Sequence, residues 1–123
     1  MTGAREGSRH VGVWIAAAAD AVYAFASDQR NLERWAAGLA DPALADVDVR
    51  FAPVNDFGVL DHVVTMPTGE EVYNPMRVIP AGDERCEVVF TLRRRPEMSD
   101  EDFEADARAV RADLETLRGL AEG

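Results

Sequence analysis

The stretch GVLDHVVTMPTGEEVYNPMRVI, residues 58–79, holds two alternating segments on either side of a short break, Pro67-Thr68-Gly69. Alternation with a period of two marks a strand with one buried face, and a three-residue break with glycine last is a hairpin loop whose glycine takes the left-handed conformation. That loop pairs Met66 with Glu70, and counting back sets Val64 opposite Val72, His62 opposite Asn74 and Leu60 opposite Met76. Leu60, Val64, Val72, Met76 and Val78 then share one apolar face with His62 and Asn74 among them, while Asp61, Thr65, Glu71, Tyr73 and Arg77 take the other. A third alternating segment, Arg85 to Arg93, follows Ala81-Gly82-Asp83-Glu84 and sends Cys86, Val88, Phe90 and Leu92 inward, Glu87, Thr91 and Arg93 outward. Together the three segments read as an antiparallel meander.

Upstream, His10 to Ile15 alternates around Val11, Val13 and Ile15 and predicts a first strand; residues 1–8 read as a disordered tail and residues 9–123 as one domain. From Ala19 to Ser27 the period lengthens, placing Val22, Phe25 and Ala26 on one side of a short helix. Asp28 or Asn31 can cap a second helix with an apolar face of Leu32, Trp35, Ala36 and Leu39, ended by Asp41-Pro42 because the residue before proline leaves the helical region. A strand at Val47, Val49 and Phe51 follows. Downstream, Ser99 with Asp102 resembles a capping box, and Phe103, Ala107, Val110, Leu114, Leu117 and Ala121 form the buried stripe of one long helix. Strands thus stand apart from helices, which indicates an α+β fold: a curved antiparallel sheet of about five strands wrapped on the long C-terminal helix, with two short helices after the first strand. Such a sheet gripping such a helix leaves a cleft between them.

Composition narrows the chemistry. The chain has 123 residues and a net charge of −10, and all 13 basic residues are arginine, so nucleic acid is not an expected partner and lysine-based Schiff-base or phosphate-loop chemistry is excluded. No apolar run is long enough to span a membrane, and Met1 to Gly7 has no apolar segment of the signal-peptide kind. The single Cys86 cannot form an intrachain disulfide, which makes a reducing cytoplasm the expected compartment. Two histidines far apart in sequence and one cysteine do not make a zinc site, Asp46 and Asp48 lack a calcium loop's glycine, and no glycine-rich phosphate loop follows a strand. No metal and no cofactor is expected.

The residues Val13-Trp14-Ile15, Asp20-Ala21-Val22-Tyr23-Ala24-Phe25, Asp28 and Leu32 through Trp35 resemble the opening of the SRPBCC, or START-like, superfamily. Asn55-Asp56-Phe57-Gly58-Val59-Leu60-Asp61-His62, Asn74-Pro75-Met76-Arg77-Val78 and the last helix are similar to its small bacterial members, so the resemblance runs from residue 10 to residue 120. It implies a helix-grip fold, on which polyketide cyclases and aromatases, lipid carriers, receptors and chaperone activators are all built, and so does not select an activity. The stretch between the second helix and the last is shorter than is usual there, which implies a trimmed sheet and a small pocket.

Within the cleft, His62 opposite Asn74 is a polar pair on an otherwise apolar face. Such groups need partners. Either they bond each other or a buried water, or they orient the polar end of a mostly apolar ligand. Trp35 falls where the superfamily commonly has an aromatic near the pocket mouth, and packs as core or lines it. Met66, Met76 and Phe90 are candidates for an adaptable lining, beside Val64 on the same face. The expected site is therefore His62, Asn74, Trp35, Met76, Phe90 and Val64. Asn55 and Asp56 suit a turn, Arg77 points outward, and Arg93-Arg94-Arg95, beside the acidic start of the last helix, reads as an ion-pairing or solvated surface and not an anion site. Three functions stay open: a non-catalytic binder of a small apolar molecule, a polyketide cyclase- or dehydratase-like enzyme with His62 as acid or base, and a protein-interaction module, with a homodimer as one form of it.

Overall fold

The computed structural model describes residues 7–36 and 47–123. Its elements are β1 (Ser8–Ile15), α1 (Ala19–Ser27), a 3-10 turn (Gln29–Asn31), α2 (Leu32–Trp35), β2 (Asp48–Phe51), β3 (His62–Thr65), β4 (Glu71–Asn74), β5 (Met76–Pro80), β6 (Cys86–Arg93) and α3 (Asp100–Glu122). β1 starts before the expected His10: Ser8 pairs with Arg93, and the Arg94 N–H donates to the Gly7 carbonyl at 2.9 Å. Ser8 therefore belongs to the sheet and not to a tail. The side chain of Asp28 caps the 3-10 turn by accepting from the Arg30 N–H, whereas Asn31 leads into α2 without a side-chain cap. The expected run of α2 to Leu39 and its end at Asp41-Pro42 lie outside the described residues.

Two three-stranded halves, β1-β6-β5 and β2-β3-β4, make up the sheet, with every pairing antiparallel. They are joined because β4 leads into β5 across Pro75, and the chain ahead of β3 pairs with β5. Val59 bridges Arg77, the Leu60 N–H donates to the Met76 carbonyl, and the Val78 N–H donates to the Gly58 carbonyl, both at 2.8 Å. One register thus holds from Gly58–Val78 through His62–Asn74 to the Met66–Glu70 loop, where Gly69 has φ +90°. It is the register that the hairpin loop predicts. The described residues form six strands instead of about five because Pro75 divides the expected middle segment: the Thr91 N–H donates to the Pro75 carbonyl, but proline has no N–H to return the bond. Beyond that point β4 leaves β6, and the sheet curves.

Side-chain parity puts Val11, Val13, Ile15, Met76, Val78, Cys86 and Val88 on the concave face, all buried in one cluster with Leu114 and Leu117 of α3. α3 is 23 residues long, about 34 Å at 1.5 Å per residue, and lies chiefly along β1 with further contact to α1, α2 and β6. Its stripe is the expected one: Phe103, Ala107, Leu114 and Leu117 are buried, and Val110 and Ala121 pack against the core. Ser99 caps it, its Oγ accepting from the Asp102 N–H at 3.0 Å. Arg94 pairs with Asp100 at 2.8 Å and Arg95 with Glu70 at 3.5 Å, which ties the arginine run to its neighbours. Among the described residues, no helix is long and apolar enough to cross a membrane.

Candidate functional site

Where β4 parts from β6, a groove of about 520 Å³ opens between the two strands and α3. Val64, Val72, Leu92 and Val110 give it an apolar floor, with Arg95 and Asp106 among its polar residues. Val64, Asn74, Phe90, Val110 and Asp113 of this groove also wall a smaller cavity of about 140 Å³, completed by Trp35, Ala36, His62 and Leu114. The smaller space sits under the concave face, between β3, β4, β6, α2 and α3. A bend in the sheet therefore makes the site, and the parity of three strands decides what faces it.

His62 is 4% exposed. Its Nδ1 lies 3.0 Å from the Leu60 carbonyl, which can only accept, so Nδ1 carries the hydrogen and Nε2 is left as the acceptor of a neutral ring. Asn74 Nδ2 approaches Nε2 at 3.5 Å, a long contact that leaves room for competition. Burial lowers the pKa of His62, and the Leu60 carbonyl and the charge of Asp61 only partly oppose it, so the ring is neutral at pH 7. Phe51 and Phe90 flank the ring at centroid distances of 5.3 and 5.8 Å.

Opposite the sheet stand two groups of different character. Trp35 closes α2 at 3% exposure, and its indole Nε1–H finds no acceptor among the described residues. Asp113 is half-buried on α3, where burial raises its carboxyl from the ordinary 3.8 to about 6. Asp106, two turns earlier and lining the groove, is raised by burial as well, with Arg95 opposing the shift.

Of the expected site residues, His62, Asn74, Trp35, Phe90 and Val64 meet around the small cavity. Met76 does not line it: it is fully buried, packed beneath the sheet in the core. Met66 lines the outer groove. Asp113 was missed by sequence reasoning, although its spacing carried a signal, three residues after Val110 and four before Leu117, on the edge of the buried stripe. Asn55 serves its turn, accepting from the N–H groups of Phe57 and Val59 at 3.0 and 3.1 Å. A larger hollow of about 680 Å³ lies at the far end, near α1, but there the Asn55 N–H and the Tyr23 hydroxyl are already bonded to each other.

No protein-family model matches this chain, and no curated protein does. Solved structures do match. An AHSA1-like protein from Rhizobium etli superposes with a TM-score of 0.66 at 19% identity, covering 100% of this chain and 88% of that one. A START superfamily protein from Mycobacterium smegmatis gives 0.62 at 13% identity, over 96% and 98%. The ZhuI aromatase/cyclase from a Streptomyces species gives 0.56 at 15% identity, over 96% and 94%. At these identities the likeness is one of architecture, and with the topology described above it means that this chain has the helix-grip fold.

Proposed function

We propose that the protein binds a small, mostly apolar molecule in the cleft between the curved sheet and α3. The observation that carries this reading is the cavity of about 140 Å³, whose walls of Trp35, Val64, Phe90, Val110 and Leu114 are interrupted by His62 and Asn74. Apolar walls with a few convergent polar groups are the general form of a small-molecule site. The volume is close to the ~150 Å³ of an engineered apolar cavity that takes up benzene, so one ring fits inside and any larger body extends into the groove. A cyclase- or dehydratase-like reaction would draw on the same His62, but burial weakens that ring as a base, and its acceptor nitrogen already faces Asn74.

Toluene is a suitable first probe. Titrating it while recording the methyl resonances of Val64, Val110 and Leu114 should give saturable shifts that Phe90→Ala, which opens the wall, or Leu114→Phe, which fills the space, alters. Unmoved methyl resonances at saturating toluene would reject the binding reading. His62→Ala and Asn74→Ala are expected to change probe affinity while leaving the fold in place, as read by circular dichroism.

A further inference from the structure

Two residues that line this cavity carry polar groups with no partner among the described residues. The Nε1–H of Trp35 is buried and donates to no acceptor among the described residues. Asp113 lines the same cavity, and its carboxyl has neither an ion pair nor a hydrogen bond among the described residues. One group can only donate, and the other, when ionised, can only accept. The buried indole N–H without a partner keeps its full desolvation penalty, and the half-buried carboxylate keeps part of its own.

We propose that the cavity recognises a hydroxyl group carried on an apolar body of about one six-membered ring, the hydroxyl oxygen accepting from Trp35 Nε1–H and its hydrogen donated to Asp113. This rests on the binding reading above and names the polar group of the ligand. The choice follows from what each alternative leaves undone. An ammonium would satisfy Asp113 but has no lone pair for the indole. A carboxylate accepts from the indole but meets the charge of Asp113, and an ether or ketone accepts without donating. A hydroxyl does both with one oxygen. His62 Nε2 and Asn74 border the same space, so the hydroxyl enters a polar corner whose other walls are Val64, Phe90, Val110 and Leu114.

Four probes of similar size separate these cases: phenol, anisole, toluene and benzylamine, titrated into the full chain at pH 7.5 with the same methyl resonances as readout. Phenol is expected to bind most tightly. Trp35→Phe, which keeps a ring and removes the donor, and Asp113→Asn, which removes the charge, should each cut the preference for phenol over toluene by about tenfold. Anisole or toluene binding the unaltered protein as tightly as phenol would overturn the hydroxyl assignment, and so would a preference that survives both variants. Benzylamine binding most tightly would make this a cation site and overturn it as well. Toluene binding without a preference for phenol removes this inference alone, whereas silence from all four probes removes the binding reading with it.

Discussion

Asp61 and Asp113 are both carboxyls drawn out of water, and their surroundings push them in opposite directions. Asp61 lies on the outer face of the sheet, as parity expects, yet it is only 6% exposed. Burial by itself would raise its pKa, but the Arg77 guanidinium at 3.3 Å, the Tyr73 hydroxyl at 2.6 Å and the Met76 N–H at 2.9 Å outweigh burial and hold it below the ordinary carboxylate range. Its contribution to stability is therefore present above the unfolded pKa and lost as pH falls through the folded one. Asp61→Ala should lower stability by about 2–3 kcal/mol in urea unfolding at pH 7, since it strands the buried Met76 N–H. A loss within 0.5 kcal/mol of zero, about the scatter of ordinary surface changes, would mean that solvent replaces all three bonds.

Asp113 has the reverse sign. Its folded value of about 6 lies above the ordinary 3.8, so the protonated form is favoured in the fold, and that contribution is lost as pH rises through about 6. Asp113→Asn should accordingly raise stability at pH 7.5 by about 1 kcal/mol, allowing for its half-exposed position, and by about half as much at pH 5. An equal gain at both pH values would show that the charge is not the source. A stability gain accompanied by loss of phenol preference is the pattern expected of a residue kept for binding. Parity along β3 and β4 placed His62 against Asn74 from sequence. It could not place Asp113, because a helix-face residue faces a cavity only once the helix has been rotated and docked.

At the scale of elements, the β3–β4 hairpin and the turn before it depend on glycine for different reasons. Gly58 has φ +71°, and a Cβ there would stand 2.2 Å from the Val78 carbonyl oxygen, whereas Gly69 has φ +90° with open space around it. Both substitutions by alanine are strained by about 1–3 kcal/mol. Gly58→Ala should lower the melting temperature distinctly more than Gly69→Ala, because only the first also displaces backbone; equal losses would mean that β5 yields at Val78. The hairpin register was legible in sequence because a three-residue loop fixes parity for every residue behind it. The break at Pro75 was not, because proline keeps the alternation of side chains intact and alters only a missing donor. That missing donor nevertheless separates β4 from β6 and opens the groove.

At the scale of the molecule, the two halves of the sheet are unequally supported. β1, β5 and β6 hold most of the core side chains that α3 covers, while Val49 of β2 and Val64 of β3 are buried outside that cluster, Val64 in the cavity wall. Local opening is easiest where few apolar contacts cross. Amide exchange should therefore be faster in β2 and β4 than in β1 and β6, and saturation with toluene should slow it in β2–β4 selectively; uniform protection would indicate that the sheet opens as one unit.

The alternation of the strands, the stripe of α3, the hairpin register and the α+β order of elements followed from the sequence alone, because each depends on spacing between near neighbours or on a pattern running along the chain. The tertiary structure decided the rest: that Met76 sinks into the core, that Asp61 is buried on an outer face, and that Trp35 and Asp113 come to face His62 and Asn74. Those residues stand on separate elements, and their meeting depends on how far the sheet bends at Pro75 and how deeply α3 settles against it, which no local pattern encodes.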